Sequence, residues 1–148
     1  MIEQVIGKRL FIDTNILVYA HINNKSAKHA IAGNLLKRIW EYDNIPSISV
    51  QVLNELFVSL LKLDVPKMNC QKIVELYLAW SVQEINVQIV NATFQIFHKY
   101  KVSYWDALII AAAIESSSEI LLTEDLNDGQ KYDTVKVINP FKQKERKQ

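Results

Sequence analysis

Residues 107–114 read Ala-Leu-Ile-Ile-Ala-Ala-Ala-Ile, eight apolar positions in a row directly after Ser103-Tyr-Trp-Asp106. A helix that is apolar on every side has no face to offer water, so this segment predicts a helix over 103–115 at the centre of a core. Three serines, 116–118, then lead into Glu-Ile-Leu-Leu, which reads as a strand. A connection that short forces helix and strand to run in opposite directions, so the helix begins at the rim where the strand ends. The same alternation recurs along the chain. Short β-branched runs near 8–12, 45–48, 82–85, 119–122 and 135–138 are separated by helical patterns over 15–19, 26–42, 49–63, 67–80, 87–100 and 103–115. Strands alternating with helices imply an α/β fold, a parallel sheet of about five strands with crossover helices on its faces.

The chain's 148 residues fit a single unit, expected over 1–141, followed by a basic tail over 142–148. In that tail Lys142, Lys144, Arg146 and Lys147 face only Glu145, which fits a solvated end better than a phosphate-tracking arm. A hydrophobic fraction of 49% excludes a disordered chain, and the formal net charge of +1 does not mark a nucleic-acid protein. The longest apolar run falls well short of the roughly 20 residues needed to span a bilayer. The first ten residues lack a signal-peptide core, so the expected location is the cytoplasm. Cys70 is the only cysteine, and His21, His29 and His98 lack metal-ligand spacing, so a bound metal would be held by oxygen. The three glycines form no phosphate loop.

Acidic residues stand where such a sheet would place a site. Asp13 closes the first strand, Asp125 lies just beyond the fourth, and Asp106 opens the apolar helix. All three therefore belong at the carboxyl-end rim, where open parallel sheets bind ligands. Singly, each has an ordinary structural use. Asp13 fits a helix N-cap, Asp106 the acidic end of a Ser-x-x-Asp capping box with Ser103, and Asp125 and Asp128 a turn in which Gly129 takes a positive φ. Glu55 projects with Gln51 and Lys62 away from Leu53, Leu56, Phe57 and Leu60, so pattern alone makes it a surface glutamate. It joins the others only if the polar side of its helix borders the cleft.

Together the acids are harder to explain by capping. Two like charges about 4 Å apart repel by roughly 4 kcal/mol at an effective dielectric near 20, and no basic residue lies within these motifs. A Mg²⁺ or Mn²⁺ ion would neutralise the cluster, whereas carboxylate-only ligation disfavours zinc. Such an ion prepares water for in-line attack on phosphorus, which points to phosphodiester hydrolysis. Thr14, Asn15, Ser103 and Thr123, next to the acids, are candidates for orienting carboxylates, water or phosphate, and Asp128 for an additional acid.

The segments FIDTNILVYA, VQVLNELF, SYWDALIIAAA and LLTEDLNDG resemble, in order and spacing, the successive motifs of a PIN domain. The resemblance implies that Asp13, Glu55, Asp106 and Asp125 are the catalytic, metal-binding acids, and it alone brings Glu55 into the site. In length, and in lacking extra domains, the chain is most similar to VapC-like toxins of type II toxin-antitoxin pairs. That likeness implies a Mg²⁺-dependent endoribonuclease, Mn²⁺ being the natural substitute, usually a homodimer and neutralised by a cognate antitoxin. An apolar antitoxin segment would cover the cleft or a groove between helices 26–42 and 49–63. A dehalogenase-type phosphatase would need a second acid where Asn15 stands, and a phosphate-receiver domain a late functional lysine that the pattern does not offer. The alternative of a non-catalytic PIN-like module binding RNA or protein leaves the four acids without a use.

Overall fold

The computed structural model describes residues 2–42 and 44–142. Six strands, β1 (Leu10–Ile12), β2 (Ser47–Ser49), β3 (Ser81–Gln83), β4 (Ile120–Leu122), β5 (Lys131–Tyr132) and β6 (Val135–Ile138), form one sheet in the order β3-β2-β1-β4-β6-β5. All neighbours are parallel except β5 and β6. The flanking helices are α1 (Ile2–Val5), α2 (Thr14–His21), α3 (Ala27–Trp40), α4 (Val50–Lys62), α5 (Lys67–Leu76), α6 (Val87–Lys99) and α7 (Tyr104–Glu115). This is the α/β architecture that the alternation of patterns predicts.

The central strands are short and wholly buried: Leu10, Phe11 and Ile12 of β1, and Ile120, Leu121 and Leu122 of β4. With both faces covered, nothing in them alternates, as expected for a parallel sheet sandwiched between helices. Helix α7 meets the same expectation. Residues 107–113 are all buried, and the helix packs against α6 and touches β2 and β6. Helix α2 packs against both α3 and α4, the two helices expected to wall a groove.

Three differences from the sequence-based reading have local causes. The helix expected over 67–80 ends at Leu76 and tightens into a 3₁₀ turn, Tyr77–Ala79, where the buried rings of Tyr77 and Trp80 pack edge to face at 4.8 Å. The sheet has a sixth strand, because 131–135 folds back as a two-residue hairpin with Asp133 at a φ of 52°. The side chains of Lys99 and Tyr100 hold the Asp133 carboxylate at 2.7 and 2.8 Å, tying down a turn too short to read as a strand from composition. Helix α1 was also not anticipated, since four residues carry no period. Gly129 takes the positive φ expected of it, 87°. Of the expected basic tail, 143–148 lie outside the described residues. No helix among the described residues is long and apolar enough to cross a membrane.

The topology fixes where a site can form. From β1 the chain winds outward through β2 to β3, then returns to place β4 on the other side of β1. The winding reverses between β1 and β4, and ligands of open α/β sheets bind in the crevice at that point, beyond the strand ends.

Candidate active site

Register brings the first pair of acidic segments together. Ile12 lies opposite Leu122, and the backbone N–H of Asp13 donates to the carbonyl of Leu122 at 3.0 Å. The residue after β1 therefore sits beside Thr123, which follows β4. Thr123 Oγ1 donates to Asp13 Oδ2 at 2.8 Å and accepts from the Asp125 N–H at 3.1 Å. Asn15, the second residue of α2, spans the gap: its Nδ2 reaches Asp125 Oδ2 at 3.1 Å, Thr123 Oγ1 at 3.2 Å and Asp13 Oδ2 at 3.4 Å. Its Oδ1 accepts from the Glu124 N–H at 3.3 Å. Asn15 and Thr123 thus hydrogen-bond the carboxylates of Asp13 and Asp125 directly.

Asp13 is also the N-cap of α2, accepting from the Thr14 N–H at 2.7 Å. The capping reading holds for this residue, since a helix starting directly at a strand end needs an extended, acceptor-bearing residue there, and capping leaves its carboxylate in the pocket lining. Ser103 likewise caps α7, its Oγ accepting from the Asp106 N–H at 3.1 Å.

The structure decides the position of Glu55. Helix α4 starts at the rim beside β1, and the side with Gln51 and Glu55 faces the crevice rather than solvent. Gln51 is buried, its Nε2 donating to Glu55 Oε2 at 3.1 Å, and Thr14 Oγ1 donates to Glu55 Oε1 at 2.9 Å. Asp13, Glu55, Asp106 and Asp125, from four separate segments, line one pocket of about 200 Å³ together with Thr14, Asn15, Gln51, Trp105 and Ile109. No lysine or arginine lines it among the described residues. Asp128 is not brought in; its Oδ1 accepts from the Asn139 N–H at 2.9 Å. Gln51 and Trp105 were not singled out from sequence. The available signal was that Gln51 stands one turn before Glu55 on the same side of α4, and that Trp105 directly precedes Asp106.

The electrostatics are those of crowded anions. Burial pushes the Asp13 carboxyl up to about 7, against the pull of hydrogen bonds from Thr123 and Thr14, with the charges of Asp125 and Glu55 adding to the rise. Asp106 is also raised, chiefly by burial and further by Asp125 and Glu55, with Ser103 opposing. Among the described residues no three acidic, histidine or cysteine side chains are placed so that they could hold a metal ion between them. The donor set is all oxygen, uncompensated by any lining cation, and set around an open pocket. That suits a hard divalent ion such as Mg²⁺, which takes one or two carboxylates and keeps most of its waters.

A profile of the PIN domain matches residues 10–131. The chain belongs to the PIN-domain family. Solved structures show the same fold at low identity. A toxin–antitoxin complex from Klebsiella pneumoniae is 22% identical, with a TM-score of 0.66 over 89% of this chain and 97% of that one. DNA-bound VapBC from Salmonella typhimurium is 19% identical, with a TM-score of 0.66 over 90% and 98%. The VapC20 toxin of Mycobacterium tuberculosis, described as cleaving the sarcin–ricin loop, is 16% identical, with a TM-score of 0.60 over 76% and 86%. No curated protein sequence matches this PIN domain significantly.

Proposed function

We propose that this PIN domain is a Mg²⁺- or Mn²⁺-dependent endoribonuclease and the toxin of a type II toxin-antitoxin pair. The observation that carries the nuclease reading is the convergence of Asp13, Glu55, Asp106 and Asp125 on one pocket at the sheet's switch point, with no lining cation among the described residues. Asp13, Asp106 and Asp125 are the candidate ligands, one or two of them binding the ion directly and the others through its waters, with Glu55 beside them. A divalent ion bound there supplies the charge neutralisation and the acidified water that attack on a phosphodiester requires. The protein's own part is positional: Asn15 fixes Asp125 relative to Asp13, Thr123 fixes Asp13, and Thr14 with Gln51 fixes Glu55. The family membership supports hydrolysis of nucleic acid, and the toxin–antitoxin complexes that share the fold support the biological role and an antitoxin partner; the homodimer is carried by the resemblance to VapC-like toxins alone.

The test of the enzyme is RNA cleavage by purified protein in Mg²⁺ or Mn²⁺, comparing wild type with Asp13→Ala and Asp106→Ala. Cleavage that both substitutions abolish supports the site; equal RNA loss in all three samples removes it. For the toxin role, expression of the chain alone should arrest growth, and co-expression of the neighbouring gene should restore it. Unimpeded growth with an active nuclease in the cell refutes the toxin assignment alone.

A further inference from the structure

The acidic pocket is the middle of three adjoining cavities. On one side it shares Gln51, Glu55 and Trp105 with a lobe of about 450 Å³ whose other walls include Ile85, Leu108 and the amide of Asn54. On the other it shares Asp106 and Asp125 with a lobe of about 230 Å³ that Lys101 lines. The two flanks differ in chemistry. Trp105 leaves 62% of its surface exposed, and its ring contact among the described residues is edge to face with Tyr104 at 5.4 Å, so an indole face stays open to a planar ligand. Between this lobe and the acids sits Gln51, whose side chain is nearly buried and whose Oε1 has no hydrogen-bond partner. A buried acceptor left unpaired is unfavourable, and a shift of this side chain that uncovers Oε1 would let it accept an N–H or O–H from a ligand. Lys101 is the only lysine or arginine lining any of the three lobes and forms no ion pair among the described residues.

We propose that the Trp105 lobe is a nucleobase subsite: a single-stranded RNA laid along the cleft stacks one base on the indole, presents the adjoining phosphodiester to the carboxylates, and continues past Lys101. The identity of the strand rests on the ribonuclease reading above. Aromatic faces with an interleaved cation are how proteins hold single strands, because every base offers a π face and every linkage a charge. Central carboxylates repel phosphate, so binding energy must come from the flanks. A duplex, whose bases are already stacked on one another, cannot use the indole. The subsite therefore selects for unpaired RNA.

The test measures fluorescence anisotropy of a labelled ten-nucleotide single-stranded RNA of mixed sequence, titrated with the whole chain. Ca²⁺ replaces Mg²⁺, and a gel confirms that the probe stays intact. Trp105→Ala should weaken binding by about fivefold or more, the range for loss of one stacked base, while Trp105→Phe keeps most of the affinity. Lys101→Gln should lower the slope of log affinity against log salt by about 0.7, the share of one phosphate contact on a single strand. The same sequence as a duplex should bind more weakly. Trp105→Ala binding within twofold of wild type, at unchanged melting temperature, overturns the subsite, as does an absence of RNA binding. Trp105-dependent binding without cleavage in Mg²⁺ sustains the subsite and refutes the nuclease. Acid-dependent cleavage with binding indifferent to Trp105 does the reverse.

Discussion

Replacing Asp13 by asparagine should make the metal-free protein more stable at pH 8, although it removes one of the four carboxylates lining the pocket. Burial raises the Asp13 carboxyl to about 7 from an ordinary value of 3.8. A folded pKa above the unfolded one means that the native state keeps its proton where the unfolded chain has lost it. This group therefore favours folding fully below about pH 4, and its contribution is lost as pH rises through 7. A gap of about three pKa units corresponds to a loss of about 4 kcal/mol between pH 3 and pH 8, of which 2–3 kcal/mol falls above pH 5. Asparagine is close to isosteric and keeps the acceptor for the Thr14 N–H, but its NH₂ meets the Thr123 hydroxyl and the Asn15 amide where a carboxylate oxygen had accepted. That mismatch costs about 1 kcal/mol, leaving a net gain of roughly 3 kcal/mol at pH 8. Urea unfolding in EDTA, followed by tryptophan fluorescence at pH 5 and pH 8, reads the difference directly, since other titrating groups are common to both proteins. Wild-type and Asp13→Asn stabilities that run parallel from pH 5 to 8 would refute the claim that this carboxylate is held in place against its own charge.

Thr123→Val conserves volume but removes the hydroxyl that donates to Asp13 and accepts from Asn15 and Asp125; it should cost about 1–3 kcal/mol in urea unfolding, and a loss below 0.5 kcal/mol would show that the network is dispensable. Adding Mg²⁺ should raise the melting temperature of wild type, by about 2.7 kcal/mol of stabilisation at a hundredfold excess over Kd, and should do little for Asp106→Ala; an equal rise in both places the ion elsewhere. Ala112 is fully buried in α7, so Ala112→Leu should overpack the core by about 1–3 kcal/mol or more, measured by thermal unfolding, and a neutral result would mean that α7 has slack on that side.

The residues legible in advance were those whose role is set by chain direction. An all-apolar helix joined by three serines to a strand can only start at the carboxyl rim, and this fixed Asp106 relative to Asp13 and Asp125 before any coordinates. Glu55 was not legible on the same terms. A helical projection separates apolar from polar positions but does not say what the polar side faces, and here Gln51 is buried against the rim while Lys62, on the same projected side, is exposed. Only the resemblance to a family put Glu55 beside the other acids, where the pocket lining has it. Asp128 shows the opposite failure: in sequence it is as good a turn acid as Asp125, yet three residues further on it serves the Asn139 N–H. The β5–β6 hairpin is not legible in the sequence because its turn residue Asp133 is held by Lys99 and Tyr100, 34 and 33 positions earlier.

The most direct measurement is an anomalous difference map from a crystal of the whole chain soaked in Mn²⁺. The account predicts a peak in the pocket among Asp13, Asp106 and Asp125, bound directly by one or two of them with its remaining ligands mostly water, and no peak when Asp106→Asn crystals are soaked alike. Manganese bound on a different face, with the carboxylate pocket vacant while the same preparation cuts RNA, would contradict it.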